Sequence, residues 1–184
     1  GLPDSLLGSA WPVMHEAFQV PLSYAGLVTM IISGGTICSS LLSERLTKKL
    51  GTQIVTVCSV LLTAVALFGF STASAFWMLC IWVIPYGLGA GAIDAALNNY
   101  VALHYNSRHM SWLHCFWGLG TIISPYVMSY ALTTSVWQNG YRMVSFIQFG
   151  IMIILFLTLP VWKVNQKTSV QQEEASEEMV GIKG

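Results

Sequence analysis

Residues 86–99 read Tyr86-Gly-Leu-Gly-Ala-Gly-Ala-Ile-Asp94-Ala-Ala-Leu-Asn98-Asn99. They belong to an apolar segment over 75–103, and about 20 such residues suffice for a helix to cross a bilayer core of roughly 30 Å. A carboxylate deep in such a helix costs about 2.5–3.5 kcal/mol on insertion scales, so Asp94 needs a compensating role. Asn98, one turn further on, shares its helix face, which also carries Gly87 and Gly91. The stripe offers a titratable acid, an amide and backbone open to close approach. A neutral Asn would serve a helix contact at lower cost, so the acid reads as a proton or substrate group.

Working outward, six apolar segments predict an all-α membrane protein: 1–18, 22–43, 53–73, 75–103, 111–133 and 142–162. Their connectors are short and polar or turn-forming, which implies antiparallel neighbours. The composition agrees. Of all residues 54% are hydrophobic and 9% charged, against roughly 25% charged in an ordinary soluble domain. So few charges cannot cover a water-facing surface, and the partner they imply is the lipid bilayer. A net charge of zero gives no basic face for phosphates, which excludes a nucleic-acid partner. The bundle is therefore expected over 1–162. Residues 163–184, rich in Gln, Lys, Ser and a cluster of Glu173, Glu174, Glu177 and Glu178, read as a solvated, disordered cytoplasmic linker or tail.

Basic residues give the sidedness, because Lys and Arg are retained on the cytoplasmic side. Arg45, Lys48, Lys49, Arg108, Lys163 and Lys167 fall at alternate span ends on one face, and Arg142 on the other. The connectors near 43–52 and 104–110 and the tail are thus expected inside, in a plasma membrane, with a bacterial inner membrane as the setting. Trp11, Trp77, Trp137 and Trp162 lie near span ends, as interfacial aromatics do. Cys38, Cys58, Cys80 and Cys115 lack any metal or CxxC spacing and read as small apolar filler. His104 and His109 have no third ligand in register, so no metal is expected.

Asp4 is a second acid within a predicted span. Pro3, Gly8 and Pro12 around it imply a bent helix of the kind found beside midplane sites. His114 and Gln148 are single polar residues in the fifth and sixth spans, able to bind a proton, a solute or a neighbouring helix. Trp117 offers an indole on which a sugar or another flat ligand could stack. Gly35-Thr-Ile-Cys-Ser39 in the second span is echoed by Gly120-Thr-Ile-Ile-Ser124 in the fifth. With acids in the first and fourth spans, the echo suggests a three-plus-three inverted repeat, an arrangement found in secondary transporters.

The connector Ser40-Leu-Leu-Ser-Glu44-Arg45-Leu-Thr-Lys48-Lys49 resembles the loop signature between the second and third helices of the major facilitator superfamily. Glu44, Arg45, Lys48 and Lys49 match it in charge and spacing, while Ser40 and Thr47 replace its usual glycines. The resemblance implies that this loop braces a cytoplasmic gate and that the chain is the first six-helix half of a twelve-helix transporter. Within the superfamily the chain is similar to the fucose permease group of proton-coupled sugar transporters. That likeness implies proton and substrate roles for Asp4 and Asp94, with Asn98 following, whereas Trp117 stands where that group carries Asn. The expected function is proton-coupled transport of a sugar or other small polar solute, with the proton as coupling ion and no cofactor. Alternatives are a drug or metabolite exporter of the same superfamily and a non-transporting six-helix scaffold or receptor. No nucleophile–base pair or metal cluster supports an enzyme.

Overall fold

The computed structural model describes Pro3 and residues 5–182 and, within these, side chains other than those of 161–170, 172 and 173. The chain is helical throughout the described residues: α1 (Leu6–Ala17), a short 3-10 turn (Leu22–Tyr24), α2 (Ala25–Leu50), α3 (Thr52–Thr72), α4 (Phe76–His104), α5 (Ser107–Thr134), α6 (Trp137–Leu157) and α7 (Leu159–Ile182). Five helices, α2 to α6, are long and apolar enough to cross a membrane. The first expected span is shorter than predicted, since α1 has 12 residues, about 18 Å at 1.5 Å per residue.

Two further expectations are corrected. Residues 43–52 do not form a polar loop, because α2 runs on to Leu50 and a single residue, Gly51 at φ 86°, turns the chain into α3. That backbone conformation strains any residue with a Cβ, so glycine compresses the connection to one position. Residues 163–182 are helical rather than irregular. Between Pro160, in the first turn of α7, and Gly181 no Gly or Pro interrupts a run of good helix formers.

α4 lies between α2 and α3, α3 lies between α4 and α6, and α5 packs on α6 and α1. α3 is the best covered, with 61% of its most apolar window buried against 11% for α2. Small residues set the α2–α4 approach. A Cβ on Gly87 would come within 2.8 Å of the Ile32 carbonyl oxygen, and one on Gly91 within 2.5 Å of that of Thr36. The hydroxyls of Thr36 and Ser40 donate across the seam to the Gly87 and Gly91 carbonyls at 3.3 and 3.4 Å. Between helices in lipid, such close contact and hydrogen bonding replace the hydrophobic drive available in water. On the other side of α4, Trp82 lies directly over Gly69 of α3.

Met30, Ile37 and Leu41 on α2, and Phe116, Ile122 and Tyr126 on α5, are more than 60% exposed. Lipid tails or another apolar surface can cover these faces, whereas water would expel them. At one end of the bundle, aromatic rings from four elements meet: Trp11 with Phe76, Tyr24 with Phe76, and Phe18 with Trp137. At the other end the basic termini of α2 and α4 converge, as the charge pattern requires. Ser107 and Ser74, both exposed, mark these two ends. In a background lacking Cys38, Cys58, Cys80 and Cys115, a cysteine replacing Ser107 should react with an impermeant thiol reagent from the cytoplasmic side alone. One replacing Ser74 should react from outside alone. The reverse pattern would overturn the sidedness.

Candidate solute and proton site

The stripe around Asp94 divides between two neighbouring rows of α4. Gly87, Gly91 and Ala95, four residues apart, form the ridge that meets α2. Ala90, Asp94 and Asn98 form the next ridge, which opens into cavities. The glycines therefore serve helix packing and do not face the same space as the acid. Asp94 is exposed in this chain and Asn98 half-buried, and Asn98 Nδ2 donates to the Asp94 backbone oxygen at 2.7 Å.

Two cavities meet at Asp94. The larger, about 660 Å³, lies between α4 and α5 and is lined by Asp94, Asn98, His114, Phe116 and Trp117, with Ile151 of α6. It brings His114 and Trp117, which the sequence offers separately, to the Asp94–Asn98 pair. The smaller, about 320 Å³, lies between α3, α4 and α6, with Pro3 at its rim, and places Gln148 in the same space as Asp94. There the Thr63 hydroxyl lies 2.8 Å from the Val60 carbonyl oxygen and 3.3 Å from Gln148 Oε1. Asp4 lies outside the described residues.

Sequence reasoning missed Thr56, Thr63 and Tyr86, which also line the smaller cavity. A signal existed for the first two. Thr52, Thr56, Ser59 and Thr63 recur at helical spacing along α3 and are all buried, and such a polar row in a membrane helix faces protein rather than lipid.

Glu44 and Lys48 form an ion pair at 2.8 Å on the last turns of α2, with both side chains 73% exposed. A pair so exposed adds little stability. Together with Ser43, Asn99 and His104 it borders a third cavity of about 480 Å³ where the ends of α2 and α4 meet. Arg45 and Lys49 are exposed beside it. Trp112 lies under the Arg108 guanidinium, 5.4 Å from the ring centre. Cys38, Cys58 and Cys115 are exposed and Cys80 is half-buried, so within this chain they do not fill the core as expected. Among the described residues no His, Cys, Asp and Glu cluster could hold a metal ion.

Five helices of bilayer length and apolar composition among the described residues define a multi-pass membrane protein. A sequence model of the Major Facilitator Superfamily matches residues 1–183, and the chain belongs to that superfamily. It is also similar to "Bypass of stop codon protein 6" of Saccharomyces cerevisiae (strain ATCC 204508 / S288c), at 24% identity over 159 residues. That match takes in 85% of this chain and 32% of the yeast protein, so the chain spans about a third of its relative's length. Members of the superfamily are membrane transporters, in keeping with a role other than catalysis.

Proposed function

We propose that the chain is the first half of a secondary active transporter that couples a proton to the movement of a sugar or other small polar solute. The observation carrying this reading is Asp94, shared by the two cavities and the one carboxylate that lines either among the described residues. Protonation removes the cost of holding its charge away from water. It therefore biases which side of the membrane the site faces, since a ligand shifts a conformational equilibrium by its differential affinity for the two states. Asn98, His114, Trp117 and Gln148 supply solute contacts, Asp4 is a second acid, and Glu44, Arg45, Lys48 and Lys49 brace the cytoplasmic gate.

The inverted repeat has support in the packing. α2 packs on α4 as α5 packs on α1, and α2 on α3 as α5 on α6, the pairs expected if helices one to three repeat as four to six. A six-helix half with a first helix longer than α1 follows from that repeat. The membrane is a plasma membrane, and similarity to a yeast protein gives no particular support to a bacterial one. A second reading, an exporter of amphipathic metabolites, is favoured by Phe116 and Trp117, two large aromatic side chains among the residues lining the larger cavity.

Six helices supply one wall of a central path, so a second six-helix half is required. Purified and reconstituted by itself, the 184-residue chain should catalyse no solute flux, while the full-length protein should show saturable uptake driven by an imposed pH gradient. Saturable flux from the isolated chain would defeat the half-transporter reading. Gradient-insensitive uptake by the full-length protein would defeat proton coupling.

A further inference from the structure

A groove of about 230 Å³ lies between the last turns of α5 and the first turns of α6, at the end of the bundle away from Arg45, Lys48, Lys49 and Arg108. Among the described side chains Arg142, which lines this groove, is the one Lys or Arg at that end. A cation there runs against the retention of Lys and Arg on the cytoplasmic side, so it calls for a partner. Arg142 is exposed. Its Nη1 donates to Asn139 Oδ1 at 3.4 Å, and Asn139 Nδ2 donates in turn to the Ser135 hydroxyl oxygen. This relay ties the guanidinium to the α5–α6 connection and leaves most of its five N–H donors open to a ligand. No carboxylate among the described residues forms an ion pair with it. Glu16, in the last turn of α1 at the same end, does not line the groove.

The lining is graded along the helices. Ser135 and Asn139 stand at the mouth, Arg142 lies about 8 Å inside the start of α6, and Met143 and Phe146 continue to about 14 Å, at 1.5 Å per residue. Tyr130 and Phe146, 61% and 59% exposed, make the deeper part aromatic and open. A free anion would use the top of this groove alone. A molecule with an anionic group above a hydrocarbon chain would use its whole length.

We propose that the groove holds a phospholipid of the leaflet on that side, its phosphodiester bound by Arg142 and one acyl chain laid over Met143 and Phe146. The planar guanidinium presents paired donors that match two phosphate oxygens. Ser135 and Asn139 flank the headgroup at the mouth, and the lipid bridges α5 to α6. The site lies apart from the cavities around Asp94, and its outcome does not depend on what they bind.

The test uses the full-length protein with a photoreactive benzophenone side chain in place of Phe146, reconstituted in phosphatidylcholine vesicles. Irradiation should attach a phospholipid, read as added mass, and Arg142→Gln should reduce that adduct by about tenfold or more. Arg142→Lys keeps the charge without the fork and should reduce it by about threefold. Arg108→Gln, at the opposite end, should leave it unchanged. In detergent, native mass spectrometry should show a bound phosphatidylcholine or phosphatidylglycerol that Arg142→Gln removes, and diacylglycerol, which lacks the phosphate, should not take its place. An adduct indifferent to Arg142→Gln in protein that still melts cooperatively, or equal binding of diacylglycerol, would overturn the proposal. Displacement of the lipid by inorganic phosphate would make this a site for soluble anions. Attachment of the benzophenone to protein would make it a helix or subunit contact, and either result also overturns the proposal.

Discussion

Asp94→Asn in the full-length protein should abolish accumulation driven by a pH gradient while leaving the protein in the membrane. Asparagine copies the shape and neutrality of the protonated acid, so the variant holds one protonation state permanently. It lowers the cost of placing that position in lipid, and insertion and yield should not fall. A gradient of one pH unit is worth about 1.4 kcal/mol, enough for roughly tenfold accumulation of a solute coupled to one proton. The variant should reduce that ratio to about one. Exchange of labelled for unlabelled solute, measured in the same vesicles, separates the remaining possibilities. A solute bound through Asn98, His114 and Trp117 should still exchange, whereas one bound through the Asp94 carboxylate itself should lose exchange together with accumulation. Undiminished accumulation would show that Asp94 is a structural hydrogen-bonding group, which Asn can largely replace.

The sequence shows that Asp94 matters more readily than it shows what surrounds it. The proximity of Asn98 one turn away follows from local spacing and is seen in the fold. His114, Trp117 and Gln148 can each be picked out as polar or aromatic exceptions in apolar helices. Their convergence on Asp94 depends on how α4, α5 and α6 lie together. The Thr63–Gln148 contact joins residues 85 apart in the chain, and no local pattern predicts it. Hydropathy is of little help here because α4 is apolar on nearly every side. In lipid the inward face is chosen by small residues and hydrogen bonds rather than by an apolar stripe. The same limit explains the misread stripe. Gly87 and Asp94 look equivalent on an ideal helix, yet the ridge that meets α2 passes through Gly87, Gly91 and Ala95 and leaves the acid to the next row. The errors in α7 and around Gly51 have a different origin. Charge marks a segment as solvated but does not oppose a helix, and a single glycine can do the work expected of a loop.

Gly91→Ala should be the most damaging single-methyl change in the α2–α4 seam, although alanine is the better helix former. By propensity alone the substitution would stabilise the helix by up to about 1 kcal/mol. At this position the new Cβ would fall 2.5 Å from the Thr36 carbonyl oxygen and 2.7 Å from its Cα. Backbone atoms of a packed helix cannot rotate aside as a flexible side chain can, so α2 must move as a body. Overpacking of this kind costs about 1–3 kcal/mol, which outweighs the propensity gain. Movement of α2 would also lengthen the contact from Ser40 to the Gly91 carbonyl, already 3.4 Å. Gly118 in α5 supplies the control, since a Cβ there meets nothing within 4 Å, and Gly118→Ala should be neutral or slightly stabilising. Thermal unfolding of the two purified variants, followed by tryptophan fluorescence in the same detergent, checks the difference. A lower midpoint for Gly91→Ala with an unchanged or higher one for Gly118→Ala is the expected result. Equal midpoints would mean that α2 and α4 are not held at backbone contact, and the placement of α2 against the wall that carries Asp94 would have to be redrawn.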